Sequence, residues 1–104
     1  MSAHIGIGDI GIGAIRLAGC DNVATVLHPV GASATVRVRC GTEITEIIAI
    51  EAIPLCHKIS LSPIAAGTQI VKYGQPIGRA LSAIAAGQHV HVHNMRSDRA
   101  LSVA

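Results

Sequence analysis

A ten-residue segment that returns twenty positions later constrains this chain more than any other feature. Leu61-Ser62-Pro63-Ile64-Ala65-Ala66-Gly67-Thr68-Gln69-Ile70 recurs as Leu81-Ser82-Ala83-Ile84-Ala85-Ala86-Gly87-Gln88-His89-Val90. A fainter copy starts at Leu27-His28-Pro29-Val30. Each copy reads as an apolar strand end, a short bend, a turn at Gly67 or Gly87, and a new strand. Two clear copies at so short a period are too few for a solenoid. The expectation is one small all-β domain of pseudo-symmetric, short, bent strands, because glycine and proline interrupt the chain too often for long helices.

Composition agrees. The 104 residues hold 15 Ile, 16 Ala, 9 Val and 6 Leu, and Tyr73 is the sole aromatic residue. Such a core is small, aliphatic and largely β-branched, which favours strands. Charged residues are only 13 % of the chain, so part of its surface is expected to meet another protein. The net charge of +2 and the lack of aromatics among the basic residues argue against nucleic acid. No apolar run reaches the roughly 18 residues of a membrane span, and the apolar N-terminus lacks the basic start of a signal peptide. Cys20, Cys40 and Cys56 form no CxxC and no even set, so they read as reduced, small apolar residues of a cytoplasmic protein.

Residues 1–19 alternate apolar residues with glycine, a pattern read as an edge strand or an ordered extension. Its GxGxxG match at Gly6, Gly8 and Gly11 carries no weight in so glycine-rich a stretch. Asp21-Asn22 marks a turn, residues 23–27 a strand, and residues 34–40 a strand with Val36 and Val38 opposite Thr35, Arg37 and Arg39. Residues 43–53 mix helical spacing with a high isoleucine density and are read as strand. The expected organisation is an extension over 1–19, a domain over 20–97 and a tail over 98–104.

Three residue groups bear on chemistry. In Gln88-His89-Val90-His91-Val92-His93-Asn94, a continuous strand would put all three histidines on one face and both valines on the other. Alternate residues lie roughly 6.6 Å apart along a strand, so two imidazoles can share one metal while three, spanning roughly 13 Å, cannot. Asn94 could meet a ligand or hold a turn. Between Glu51 and Asp98 there is no carboxylate, but there are Lys58, Lys72, Arg79, Arg96 and four histidines. That stretch supplies neither a carboxylate base nor a carboxylate-rich metal site, and suits an anionic ligand such as a carboxylate or sulfonate. Cys56 and His57, adjacent in sequence, would point to opposite faces and make no dyad. Tyr73 reads as packing in a tight turn or as a ligand contact. No Ser/His/Asp set can be argued.

Taken in order, His57-Lys58-Ile59, the segment Leu61 to Gly67, Val71-Lys72-Tyr73-Gly74-Gln75-Pro76-Ile77-Gly78, Ile84-Ala85-Ala86-Gly87 and His89-Val90-His91-Val92-His93-Asn94 resemble the small N-terminal domain of the altronate/galactarate dehydratase family. The resemblance covers about residues 20–97 and implies the SAF domain, with the β-clip fold shared with antifreeze-like domains. It implies a subunit of a metal-dependent carbon–oxygen lyase that removes water from a sugar acid, with a separate large subunit as partner. Iron or another divalent metal is expected, shared with or held by that subunit. A small subunit of a sulfolactate sulfo-lyase is the alternative, and a non-catalytic module binding a carbohydrate or other anion is the alternative of another class. The implied site comprises His57, His91 and His93 as catalytic residues, His91 and His93 as metal ligands, and Lys58, Lys72, Tyr73, Asn94 and Arg96 as substrate contacts. Self-association is a further expectation. Cys56 stands where the family has glycine before its His-Lys pair, and the family's Asp of Leu-x-Asp-Ile is Pro63 or Ala83 here.

Overall fold

In the computed structural model, which describes residues 11–97, every regular element is a strand. The strands are β1 (Ile12–Ile15), β2 (Val23–Val26), β3 (Thr35–Cys40), β4 (Glu43–Ile48), β5 (Lys58–Ser60), β6 (Gln69–Lys72), β7 (Gln75–Ala80), β8 (His89–Val90) and β9 (Met95–Ser97). They form a six-stranded sheet in the order β4-β3-β1-β2-β5-β8 and a three-stranded sheet in the order β6-β7-β9. Only β1 and β3 run parallel; the other pairs are antiparallel. The fold is all-β, as the repeat and the aliphatic composition imply.

Four turn units, not three, organise the chain. Each has a buried bridging residue: Val30, Ile53, Ile64 or Ile84. Three residues after it comes a residue with positive φ, namely Ser33 (71°), Cys56 (69°), Gly67 (82°) and Gly87 (84°). One residue further on, an N–H closes the turn, as in Ala34 to Gly31, His57 to Pro54, Thr68 to Ala65 and Gln88 to Ala85. The units associate in two pairs with the same hydrogen bonds. Val30 and Ile53 exchange N–H···O bonds of 2.9 Å, and Ile64 and Ile84 exchange bonds of 2.8 Å. The positive-φ residue of each unit donates to the strand before its partner: Ser33 to Ala49, Cys56 to Val26, Gly67 to Ala80 and Gly87 to Ser60. The fourth unit is residues 50–57, IEAIPLCH, hidden in the sequence because Cys56 stands in its turn.

Positive φ is left-handed backbone, which costs a side-chain-bearing residue about 1–2 kcal/mol and glycine little. Replacing Cys56 by glycine is therefore expected to raise stability by about 0.5–1 kcal/mol after the entropy of glycine in the unfolded chain is subtracted. Thermal unfolding of the variant checks this; a lower melting temperature would show that the Cys56 side chain contributes more than its backbone strain costs.

Each pair of units encloses its own core. One contains Ala14, Ala24, Val26, Val36, Val38, Ile53 and Ile59. The other contains Val23, Ile64, Ile70, Ile84 and Val90. Strand β2 is the shared wall, since Ala24 and Val26 face one core and Val23 the other. Each fully buried isoleucine, such as Ile53, Ile59, Ile70 and Ile84, contributes about 1.5–3 kcal/mol.

Two expectations change here. Residues 12–15, read as an edge strand or extension, lie inside the six-stranded sheet between β3 and β2. Glycine alternation there reflects close packing: a Cβ on Gly13 would sit 2.9 Å from Val36 Cγ1. Residues 1–10 and the tail over 98–104 lie outside the described residues. The strand read over 43–53 ends at Ile48, where the second turn unit takes over. The three cysteines are free, but Cys20 and Cys56 are exposed and Cys40 is half-buried.

Asp21-Asn22, read as a turn, fastens the β6–β7 hairpin to the six-stranded sheet. Asn22 Oδ1 accepts from Val71 N at 2.8 Å, and its Nδ2 donates to Gln69 O at 3.0 Å. Buried Asp21 accepts from Leu17 N and Ala18 N on Oδ2 and from Gly74 N at 2.7 Å on Oδ1. Burial opposes its charge, but the surrounding backbone N–H groups of Gly74, Ala18, Tyr73 and Leu17 hold its pKa below the usual carboxylate value. A folded pKa below the unfolded one means stability that is complete above the unfolded value of about 4 and is lost as pH falls through the folded value. Urea unfolding from neutral to acid pH should show this loss in the wild type and a flatter dependence in Asp21→Asn. Equal slopes would remove Asp21 from the acid response.

Candidate histidine site

The turn at residues 54–57 delivers His57 and Lys58 to the start of β5, where alternation sends them to opposite faces. Across the ladder, Ile59 pairs with His89 and Lys58 with Val90, so His57 and His89 share a side. Their rings meet: His57 Nδ1 lies 2.8 Å from His89 Nε2. A bond between two ring nitrogens needs one of them protonated and the other bare.

After Val90 the strand ends, because Asn94 folds the chain back. Asn94 is 3 % exposed; its Oδ1 accepts from His91 N at 2.9 Å and its Nδ2 donates to His89 O at 2.8 Å. Asn94 N and Met95 N both donate to His91 O. The turn lays the His91 ring on that of His57, with centroids 4.0 Å apart. His57, His89 and His91 thus offer ring nitrogens that all lie within 4.8 Å of one another. His93 stays outside this trio, exposed, with its ring 5.1 Å from that of His89. The expected continuous strand over residues 89–93 is therefore corrected: Val90 is buried, but Val92 is 73 % exposed. The grouping the structure shows is a trio in which His57, from a different strand, sits between His89 and His91, while His93 lies beside His89.

Burial, together with the positive field of His57 and the other histidines, lowers the pKa of His89 against an opposing pull from Glu51. His91 is lowered as well, by burial first and then by His57, Lys58 and His93. Both rings thereby favour the neutral form, which binds metals and accepts protons. Glu51 is itself engaged, because its Oε2 accepts from His89 N at 3.0 Å.

On the other face of β5, Lys58 is half-buried beside Thr25, its partner on β2. Burial and the charge of Lys72 lower its pKa. The Tyr73-Gly74 turn, with φ of 54° and 77°, brings Lys72 and Tyr73 to this face. Tyr73 Oη donates to Thr25 Oγ1 at 3.1 Å, and Lys72 Nζ lies 4.9 Å from the Tyr73 ring centroid. The structure thus brings His57 and His91 of the expected site together, with His93 beside His89, and gathers Lys58, Lys72 and Tyr73 as a second group on the other face of β5. It does not leave Asn94 for substrate, since both ends of its amide hold the turn. Arg96 is exposed on β9, in register with Arg79.

Sequence reasoning missed His89 as a site residue, and missed Glu51. The signal for His89 was available: His57 and Gln88 occupy the same position in two units, so the strands that follow them begin side by side.

The chain is 39 % identical over 84 residues to altronate dehydratase of Escherichia coli, covering 81 % of this chain and 16 % of that protein. It is 41 % identical over 49 residues to the (2R)-sulfolactate sulfo-lyase subunit alpha of Chromohalobacter salexigens, covering 47 % and 52 %. It is 38 % identical over 47 residues to the corresponding subunit of Paracoccus pantotrophus, covering 45 % and 70 %. The chain therefore spans about a sixth of the altronate dehydratase and about half of the first sulfo-lyase subunit. Residues 12–98 match the altronate/galactarate dehydratase SAF domain, and the chain belongs to that family.

Proposed function

We propose that this chain is the small subunit of a metal-dependent carbon–oxygen lyase that dehydrates a sugar acid such as altronate, together with a large subunit that carries the remaining catalytic groups. The observation that carries this reading is a cluster of three imidazoles that, among the described residues, includes no carboxylate, with exposed Leu55 and Val92 in the neighbouring segments. Removing water from a hydroxy acid requires a proton to leave the carbon beside the carboxylate and a neighbouring hydroxyl to depart. The positive charge of Lys58, which reaches His91, and of Lys72 attracts the acid's carboxylate, and exposed His93 exchanges protons with the substrate. The clustered imidazoles suit divalent iron, since neutral nitrogen is its donor class and no carboxylate cage for magnesium or calcium is present among the described residues. When bound, such an ion polarises the substrate's oxygens. The remaining base belongs to the large subunit. Exposed apolar side chains at the edge of a polar site are what a docked partner covers.

Sulfolactate is a second substrate candidate, because the chain is similar in sequence to the sulfo-lyase alpha subunits as well as to altronate dehydratase. The test is a pull-down of the tagged chain from its native cell extract, followed by assay of the eluate on altronate and sulfolactate. Recovery of a large lyase chain with either activity supports the proposal. A chain that elutes alone and binds sugar acids without turning them over contradicts it and favours a non-catalytic binding module.

A further inference from the structure

We infer that His57, His89 and His91, without His93, form a three-imidazole metal site that this chain holds by itself, with the ion's remaining positions open to an anionic ligand. The inference deepens the lyase reading, on which the identity of the physiological ion rests; the coordination can be tested without it.

The geometry needs little adjustment. Two nitrogens bound to one ion at about 2.1 Å stand roughly 3.0–3.4 Å apart in octahedral or tetrahedral arrangements. His57 Nδ1 and His89 Nε2 are 2.8 Å apart, so replacing their shared proton by an ion asks them to separate by only a few tenths of an ångström. His91 already stacks on His57, with its donor nitrogen inside the same small volume. The backbone is fixed from both sides. Glu51 takes the His89 N–H, while Asn94 takes the His91 N–H and gives a hydrogen bond to His89 O. Two of the three rings are thus placed by a buried amide and a carboxylate that are not themselves ligands, which is how metal sites hold their donors in register. His93 lacks this placement: it follows Val92 in the exposed part of the turn, and its ring meets that of His89. Three nitrogen donors, with no carboxylate in the set among the described residues, select a borderline transition cation over magnesium or calcium. A three-residue set leaves at least one position unfilled, and Lys58, whose charge reaches His91, favours an anion there.

The experiment is a Co2+ titration of the untagged full chain near neutral pH, read by visible absorption. The expected result is one Co2+ per chain with nitrogen-type bands and a dissociation constant of about 10 μM or lower. His57→Ala, His89→Ala and His91→Ala should each weaken binding by about 30-fold or more, and His93→Ala by less than about threefold. A parallel Zn2+ titration of the wild type, followed by imidazole NMR, should shift three rings and leave His93 and His28 unmoved; it names the ligands even where a variant unfolds. Wild-type binding only in the millimolar range, or a loss on His93→Ala as large as on His57→Ala, overturns the inference. Metal binding by the isolated chain without lyase activity in its complex would retain this site and overturn the lyase reading alone.

Discussion

Replacing His89 by alanine is expected to lower dehydration by the reconstituted complex about 100-fold while shifting the melting temperature by no more than about 3 °C. The two effects separate because the His89 ring and the His89 backbone do different things. Its Nε2 faces His57 Nδ1 at 2.8 Å, and its ring centroid lies 5.0, 5.7 and 5.1 Å from those of His57, His91 and His93. Removing the ring therefore dismantles the meeting point of the cluster. The backbone stays anchored, because His89 N binds Glu51, His89 O binds Asn94 Nδ2, and the β5 ladder pairs His89 with Ile59. None of these bonds uses the side chain. Steady-state turnover and thermal unfolding of the same preparation check the pair of values. Activity within about twofold of wild type would show that the cluster is not part of the reaction.

Gly87→Ala is expected to cost at least about 4 kcal/mol, a large share of the roughly 5–15 kcal/mol that holds a small domain folded. Two costs add. Gly87 has φ of 84°, where a Cβ is strained, and the new Cβ would collide with the Ile48 carbonyl oxygen. That carbonyl is backbone, two residues before Ile50, whose N binds Gly87 O at 3.0 Å. Relief would have to separate the two pairs of units where they touch. Gly67 is the matched control. It occupies the same position of its unit with φ of 82°, but a Cβ there meets nothing within 4 Å. Gly67→Ala should therefore show only the conformational part, about 1 kcal/mol. Urea unfolding of both variants tests the difference. Equal losses would mean that backbone strain alone, and not the contact with Ile48, sets the requirement for glycine.

The sequence made the all-β class legible through one repeat, and the structure shows why only part of that repeat was visible. The copies at Leu61 and Leu81 retain glycine at the positive-φ position, so they match as strings. The copies at Leu27 and Ile50 carry Ser33 and Cys56 there, and the second resembles the others only in its apolar spacing. Their equivalence rests on backbone hydrogen bonds, which any side chain can satisfy. Burial of Val36 and Val38 followed directly from alternation, because β3 has a covered face. The position of β1 did not, because parallel pairing with β3 is a long-range choice that a glycine-rich segment does not signal locally. At the site, histidine content was plain but its geometry was not. Period-two reasoning assumed that the strand continued past Val90, whereas a buried amide, Asn94, turned it. His57 and Lys58 were recognisable through their resemblance to the family's His-Lys pair. Their apposition to His89 and His91 depends on the register of β5 against β8.

The account stands on the claim that this chain lends imidazoles to a lyase site completed by a larger partner. The most direct measurement is dehydration of altronate by the purified large subunit, alone and after addition of either the wild-type chain or the His57→Ala,His89→Ala double variant, at equal iron. The account predicts negligible turnover without the chain, restoration by the wild type, and no restoration by a double variant that still binds the large subunit. Full turnover by the large subunit alone, or equal restoration by both chains, would contradict it.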